Sequence, residues 1–169
     1  MIIGNKTTFA FDIGQRRLGS ELRTVDIVIG NRYVCCDDNS AYLPQFIASM
    51  QFDINRIAEN DWKKYHRYFE RKSIREIHEF ILRTRTEGAE EYDIEYDNIF
   101  PSHNFLNWGP TTDNLCSFLI PWNGRYYLTF QFWRHEHSNK SEIGKIQNVQ
   151  IELSEIAKTI KETIAVLKE

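Results

Sequence analysis

His135-Glu136-His137 is the stretch with the clearest capacity for chemistry. Residues two apart on a strand share a face, so both imidazoles could ligate one ion. With carboxylates alongside, His135 and His137 would make a metal-dependent hydrolase. The run HEHSNK is polar and lies just past a strand pattern, however, so a solvated loop is the simpler reading. No metal ligand is assigned there. His103 sits between Ser102 and Asn104 in loop sequence and could join such a site only through long-range folding.

Cys116 is a nucleophile by residue type alone. It alternates with Phe118 and Ile120 on an apolar face, where a buried structural thiol is expected. Cys35 and Cys36 end a strand, point to opposite faces and have no activating base nearby in sequence. Glu76 is placed to cap a helix, and Glu79 to pair with Arg75 or Arg83. No glycine-rich phosphate loop, GxGxxG or GxSxG occurs. The chain therefore reads as non-enzymatic, with no catalytic residue and no cofactor.

Binding is a better match to the segment Glu87 to Asp97, EGAEEYDIEYD. Its six carboxylates repel one another, which opposes folding against the body. The interleaved tyrosines supply rigid contact area with a polar tip. The expected contact set is Glu90, Glu91, Tyr92, Asp93, Glu95, Tyr96 and Asp97, with Trp108 as an aromatic anchor from the following loop. A partner with a basic surface is the natural complement. A competing arrangement neutralises the segment internally, against Lys63, Lys64, Arg67, Arg71, Lys72, Arg75, Arg83 and Arg85. That basic stretch, with Trp62 and Tyr65, also has the residue types of a nucleic-acid contact. The net charge of −3 and the lack of a reading helix argue against nucleic acid as a partner.

Length and composition set the frame that must hold these groups. The chain has 169 residues, of which 41% are hydrophobic and 14% aromatic, enough for one domain spanning 1–169 with a real core. Three cysteines, two of them adjacent, do not form a disulfide framework. The start MIIGNKTTFAF lacks the features of a signal peptide, and no apolar run reaches membrane-span length. A cytoplasmic setting without membrane contact is expected.

Periodicity places the elements. Thr7 to Ile13 reads as a strand with Phe9, Phe11 and Ile13 on one face, and Leu22 to Cys36 as a hairpin turning at Gly30-Asn31. Asp37 to Ser40 offers a cap for a helix over Leu43 to Ile57. Ser73 and Glu76 form a capping box for a helix whose stripe is Ile74, Ile77, Phe80 and Ile81. A short strand is expected near Ile94, and loop over His103 to Asp113. Cys116 to Trp122 and Tyr126 to Phe132 alternate around Asn123-Gly124, a type I′ turn pair. Val149 to Leu153 alternates again, and Ser154 is placed to cap a last helix over Glu155 to Leu167. The predicted class is α+β: an antiparallel sheet of about five or six strands with about three helices packed mainly on one face. An uncovered hairpin edge would permit a homodimer.

Several of these stretches resemble a family of bacterial immunity proteins from polymorphic toxin systems. The opening Met1-Ile2-Ile3-Gly4 with Phe9-Ala10-Phe11 is similar to that family's start, and Tyr42-Leu43-Pro44-Gln45-Phe46 to its first helix. The strand Val149 to Leu153 running into the final helix is similar to its ending. The resemblance spans most of the chain as an order of elements and leaves out the acidic segment and HEH. It implies a cytoplasmic, non-enzymatic protein that binds and blocks a cognate toxin domain made by the same or a neighbouring cell. It implies no catalytic residues.

Overall fold

The computed structural model describes residues 1–16, 19–35, 37–85 and 94–169, and no side chain at 16, 94 or 95. In chain order the elements are β1 (Ile2–Asn5), β2 (Phe9–Arg16), β3 (Leu22–Ile29), β4 (Arg32–Tyr33), β5 (Ser40–Tyr42), α1 (Leu43–Glu59), α2 (His66–Phe69), α3 (Ile74–Arg83), α4 (Ile94–His103), β6 (Leu115–Trp122), β7 (Arg125–Phe132), β8 (Gln147–Ile151) and α5 (Leu153–Lys168). The class is α+β, and every strand pairing is antiparallel.

The strands divide into two sheets. β1-β2-β3-β4 with β5 on β3 makes one, and β6-β7-β8 the other. In the first, Phe9, Phe11 and Ile13 alternate inward opposite Ile29, Ile27 and Val25. They meet Phe46, Met50 and Ile54 of α1 and Ile156, Ile160 and Ile164 of α5 in the larger core. Each such side chain contributes about 1.5–3 kcal/mol on burial. At Gly4 the strand β1 packs closely on α5. Its φ is +92°, and a Cβ there would lie 2.6 Å from both the Phe9 carbonyl and Thr159 Cγ2.

β6 is apolar on both faces because the second sheet separates two cores. Leu119, Leu128, Phe130 and Phe132 join the larger core. Phe118 and Ile120 face the other way, against Phe69, Ile77, Ile81, Ile99 and Phe100 of α2, α3 and α4. The helices are therefore shared between the inner face of one sheet and the outer face of the other.

Local signals hold at two turns and one cap. Gly30-Asn31 and Asn123-Gly124 have positive φ throughout (57°, 65°, 50° and 73°), as their turns require. Ser73 and Glu76 form the reciprocal capping box. Elsewhere the structure corrects the expectation. Ile94 opens a helix rather than a strand. Tyr96, Ile99, Phe100 and His103 recur at helical spacing and face the smaller core. Ser154 lies inside the first turn of α5, whose N-cap is Glu152 with no side-chain bond, because β8 runs into α5 without a loop. Ser40 belongs to β5, and α1 likewise starts without a side-chain cap. His78, not Phe80, completes the buried stripe of α3.

Candidate partner-binding surface

The two imidazoles of His135-Glu136-His137 do not converge. Residues 135–136 form a turn just past β7, closed by the His137 N–H donating to the Arg134 carbonyl at 3.2 Å. A turn does not keep alternate side chains on one face, so His135 is exposed while the His137 ring is buried, stacked on Phe132 at 3.8 Å. His137 Nδ1 lies 2.7 Å from Asp37 Oδ2, and Nε2 lies 3.3 Å from Glu142 Oε2. Burial pushes the Asp37 carboxyl up. Hydrogen bonds from His137, the Ser138 N–H and Asn114 outweigh it and hold the group at about 2. Arg32 in turn donates to Glu142 at 2.7 Å. This network ties the 34–38 segment to the 137–142 segment. Among the described residues, no group of three His, Cys, Asp or Glu side chains is arranged to hold a metal ion.

Nor is the Cys116 thiol poised for attack. Burial pushes the Cys116 thiol up to about 11, and the nearby Arg85 charge offsets this only in part. A thiol at that value is not a thiolate near neutrality. His78 and His103 are buried at 0% and 1% exposure. Burial alone pushes His78 down to about 4. For His103 burial does the same, against a hydrogen bond to the Ile99 carbonyl. Among the described residues the Nε2 atom of each ring faces no hydrogen-bonding partner. Both serve as core residues at helical positions, which sequence spacing could have flagged: 74-77-78-81 on α3 and 96-99-100-103 on α4.

Of the expected contact residues, Glu90, Glu91, Tyr92 and Asp93 lie outside the described residues. Glu95 belongs to the first turn of α4. Tyr96 is half-buried, its ring 5.1 Å from that of Tyr68 and 5.7 Å from that of Phe80, while Asp97 is exposed. Trp108 does not reach the surface at all. It is 2% exposed, stacks on Phe11 at 5.8 Å and meets Phe46 edge-on at 5.5 Å. Its indole N–H donates to Asp53, which is why a polar-loop tryptophan can turn inward. The sign in the sequence was Asp53 itself, a carboxylate on the apolar stripe of α1 between Met50 and Ile57 that requires a buried donor. Trp108 is therefore left out of the contact set.

The basic block has internal partners at several positions. Arg75 pairs with Glu79 at 3.0 Å, Lys72 donates to the Tyr68 carbonyl, and the Arg85 guanidinium lies 4.8 Å from the Phe100 ring centroid. Among the described residues no helix is long and apolar enough to cross a membrane.

No family model and no curated protein matches this chain. A solved structure does. The crystal structure of CdiI from Burkholderia dolosa AUO158 aligns with 98% of this chain and 99% of its own, with a TM-score of 0.64 and 16% sequence identity. The likeness is one of fold, and it runs the length of both chains.

Proposed function

We propose that this chain is an immunity protein that binds a cognate toxin domain and blocks it. The shared fold with CdiI, an immunity protein of contact-dependent growth inhibition, is the observation that carries this reading. The chemistry of the described residues agrees with it. The Cys116 thiol is protonated, two histidines are held neutral in a core, and a third is engaged with Asp37 and Glu142. Such a protein works by occupying a surface, without a cofactor or a bound metal, and it works in the cytoplasm.

Within this reading, the acidic segment acts as a steering contact. Glu90, Glu91, Tyr92, Asp93, Glu95, Tyr96 and Asp97 would meet a basic surface on the toxin and speed its association. The test is co-expression with toxin domains encoded in the neighbouring reading frames. Growth should be restored by the wild-type chain. A triple variant, Glu91→Lys, Asp93→Lys and Glu95→Lys, should associate more slowly at low salt and lose most of its salt dependence. Growth that stays arrested with the wild-type chain present would overturn the immunity reading. An unchanged salt dependence would remove only the acidic segment.

A further inference from the structure

Three open concavities run together across one side of the protein. The first, of about 360 Å³, is lined by Phe100, Phe105, Leu115, Cys116 and Trp133. The second, of about 480 Å³, lies beside Phe52, Arg56 and Pro101 of α1 and α4. Asn104 and Asn107 border both, so the two join. Asp113 borders the first and also the third, of about 430 Å³, which holds Asp38, Arg134 and Glu136.

Two large aromatics stand out from this side. Phe52 is 68% exposed and Trp133 is 53% exposed, one beside each of the joined concavities. Large exposed rings next to apolar grooves mark docking sites on soluble proteins. Trp133 is also held in place. Its backbone N–H donates to the Asn114 carbonyl at 3.1 Å, which fixes the main chain there, and the Arg134 guanidinium lies 5.5 Å from its ring centroid. Arg134 is anchored in turn by Asp113 at 3.3 Å. The guanidinium contact narrows the freedom of the ring, so less is lost when a partner covers it.

Charge selects the partner. The third concavity carries the carboxylates of Asp37, Asp38, Asp113 and Glu136 against the single guanidinium of Arg134. Asp37 is committed to His137, Ser138 and Asn114, and Asp113 to Arg134, which leaves Asp38 and Glu136 to set the sign next to Trp133. We propose that this side is where the toxin domain docks, with Trp133 and Phe52 as its aromatic anchors and a toxin lysine or arginine seated beside Asp38 and Glu136. This inference rests on the immunity reading and gives it a surface independent of the acidic segment.

The test measures the affinity of the purified toxin domain for single variants by calorimetry, with oligomeric state read by light scattering. Trp133→Ala should weaken binding about 30-fold and Phe52→Ala about 5- to 10-fold. Asp38→Lys with Glu136→Lys should weaken binding about 10-fold and flatten its salt dependence. Glu162→Ala on α5, outside these concavities, should bind as wild type. Thermal unfolding checks that each variant is folded; should Trp133→Ala unfold, Phe52→Ala decides alone. Wild-type binding and growth protection with Trp133→Ala and Phe52→Ala both within about twofold would overturn this surface and leave the immunity reading standing. So would conversion of a dimer to a monomer by Trp133→Ala at unchanged toxin affinity, which would assign the side to a second copy of this chain. Failure of the wild type to bind removes both.

Discussion

Trp108 Nε1 donates to Asp53 Oδ2 at 2.8 Å inside the larger core, joining α1 to the loop after α4. Oδ2 also accepts the Leu106 N–H at 3.3 Å, and Oδ1 accepts Arg56 at 2.9 and 3.2 Å. Arg56 then reaches the Ser102 carbonyl at 2.8 Å. One carboxylate on α1 thus holds the 102–108 stretch that borders both joined concavities. Burial pushes the Asp53 carboxyl up, and the Arg56 charge and the indole N–H oppose it.

Removing this carboxylate should be severe. Asp53→Ala strands a half-buried guanidinium, an indole N–H and a backbone N–H together, and should lower stability by about 3–5 kcal/mol. Trp108→Phe keeps the ring but removes one donor, and should cost about 1–3 kcal/mol. Urea unfolding at neutral pH measures both. A loss below about 1 kcal/mol for Asp53→Ala would contradict a structural role for the network.

The buried histidines make stability depend on pH. His78 and His103 lie near 4 in the folded protein, below the ordinary value of 6.5. Between those values the unfolded chain takes up protons that the folded chain refuses. Their contribution is therefore fully present above pH 6.5 and is lost as pH falls toward 4. The loss is roughly 3 kcal/mol per ring. The double variant His78→Leu and His103→Leu should show a flatter stability profile over that window. Ring-proton shifts in the wild type should show both imidazoles neutral at pH 5.5. Titration of either near 6.5 would contradict the burial that the structure gives it.

Gly4 tests the close approach of α5 to β1. Gly4→Ala meets Phe9 and Thr159 at 2.6 Å with φ at +92°, and should destabilise by roughly 2 kcal/mol or more. Combining it with Thr159→Ala removes the side-chain clash and should recover part of the loss. A neutral Gly4→Ala, read by thermal unfolding, would contradict the packing.

Much of the fold was legible where the signal is local. The Asn123-Gly124 turn, the Ser73–Glu76 box and the inward alternation of Phe9, Phe11 and Ile13 all depend on neighbours within a few residues. The division into two sheets was not, because strand partners are chosen over long separations. A trace of it is present in β6, where Leu115 and Leu119 are apolar as well as Cys116, Phe118 and Ile120, so both faces had to be covered. Tyr92, Ile94 and Tyr96 alternate in sequence, and that short period masked the helical spacing from Tyr96 to His103. Of the candidate site, charge and residue type were readable and placement was not. Trp108 looked like a surface anchor until Asp53 supplied its partner, and Trp133, just past β7, is the tryptophan that stands in solvent.

The central claim is tested most directly by titrating the purified toxin domain from the neighbouring reading frames into this protein in a calorimeter, with the toxin's own activity assayed on the same mixtures. The account predicts a saturating one-to-one complex with a Kd of about 10 nM or tighter, and loss of toxin activity that tracks the fraction bound. Absence of heat and of any complex at tens of micromolar, with the toxin fully active beside a folded partner, would contradict it.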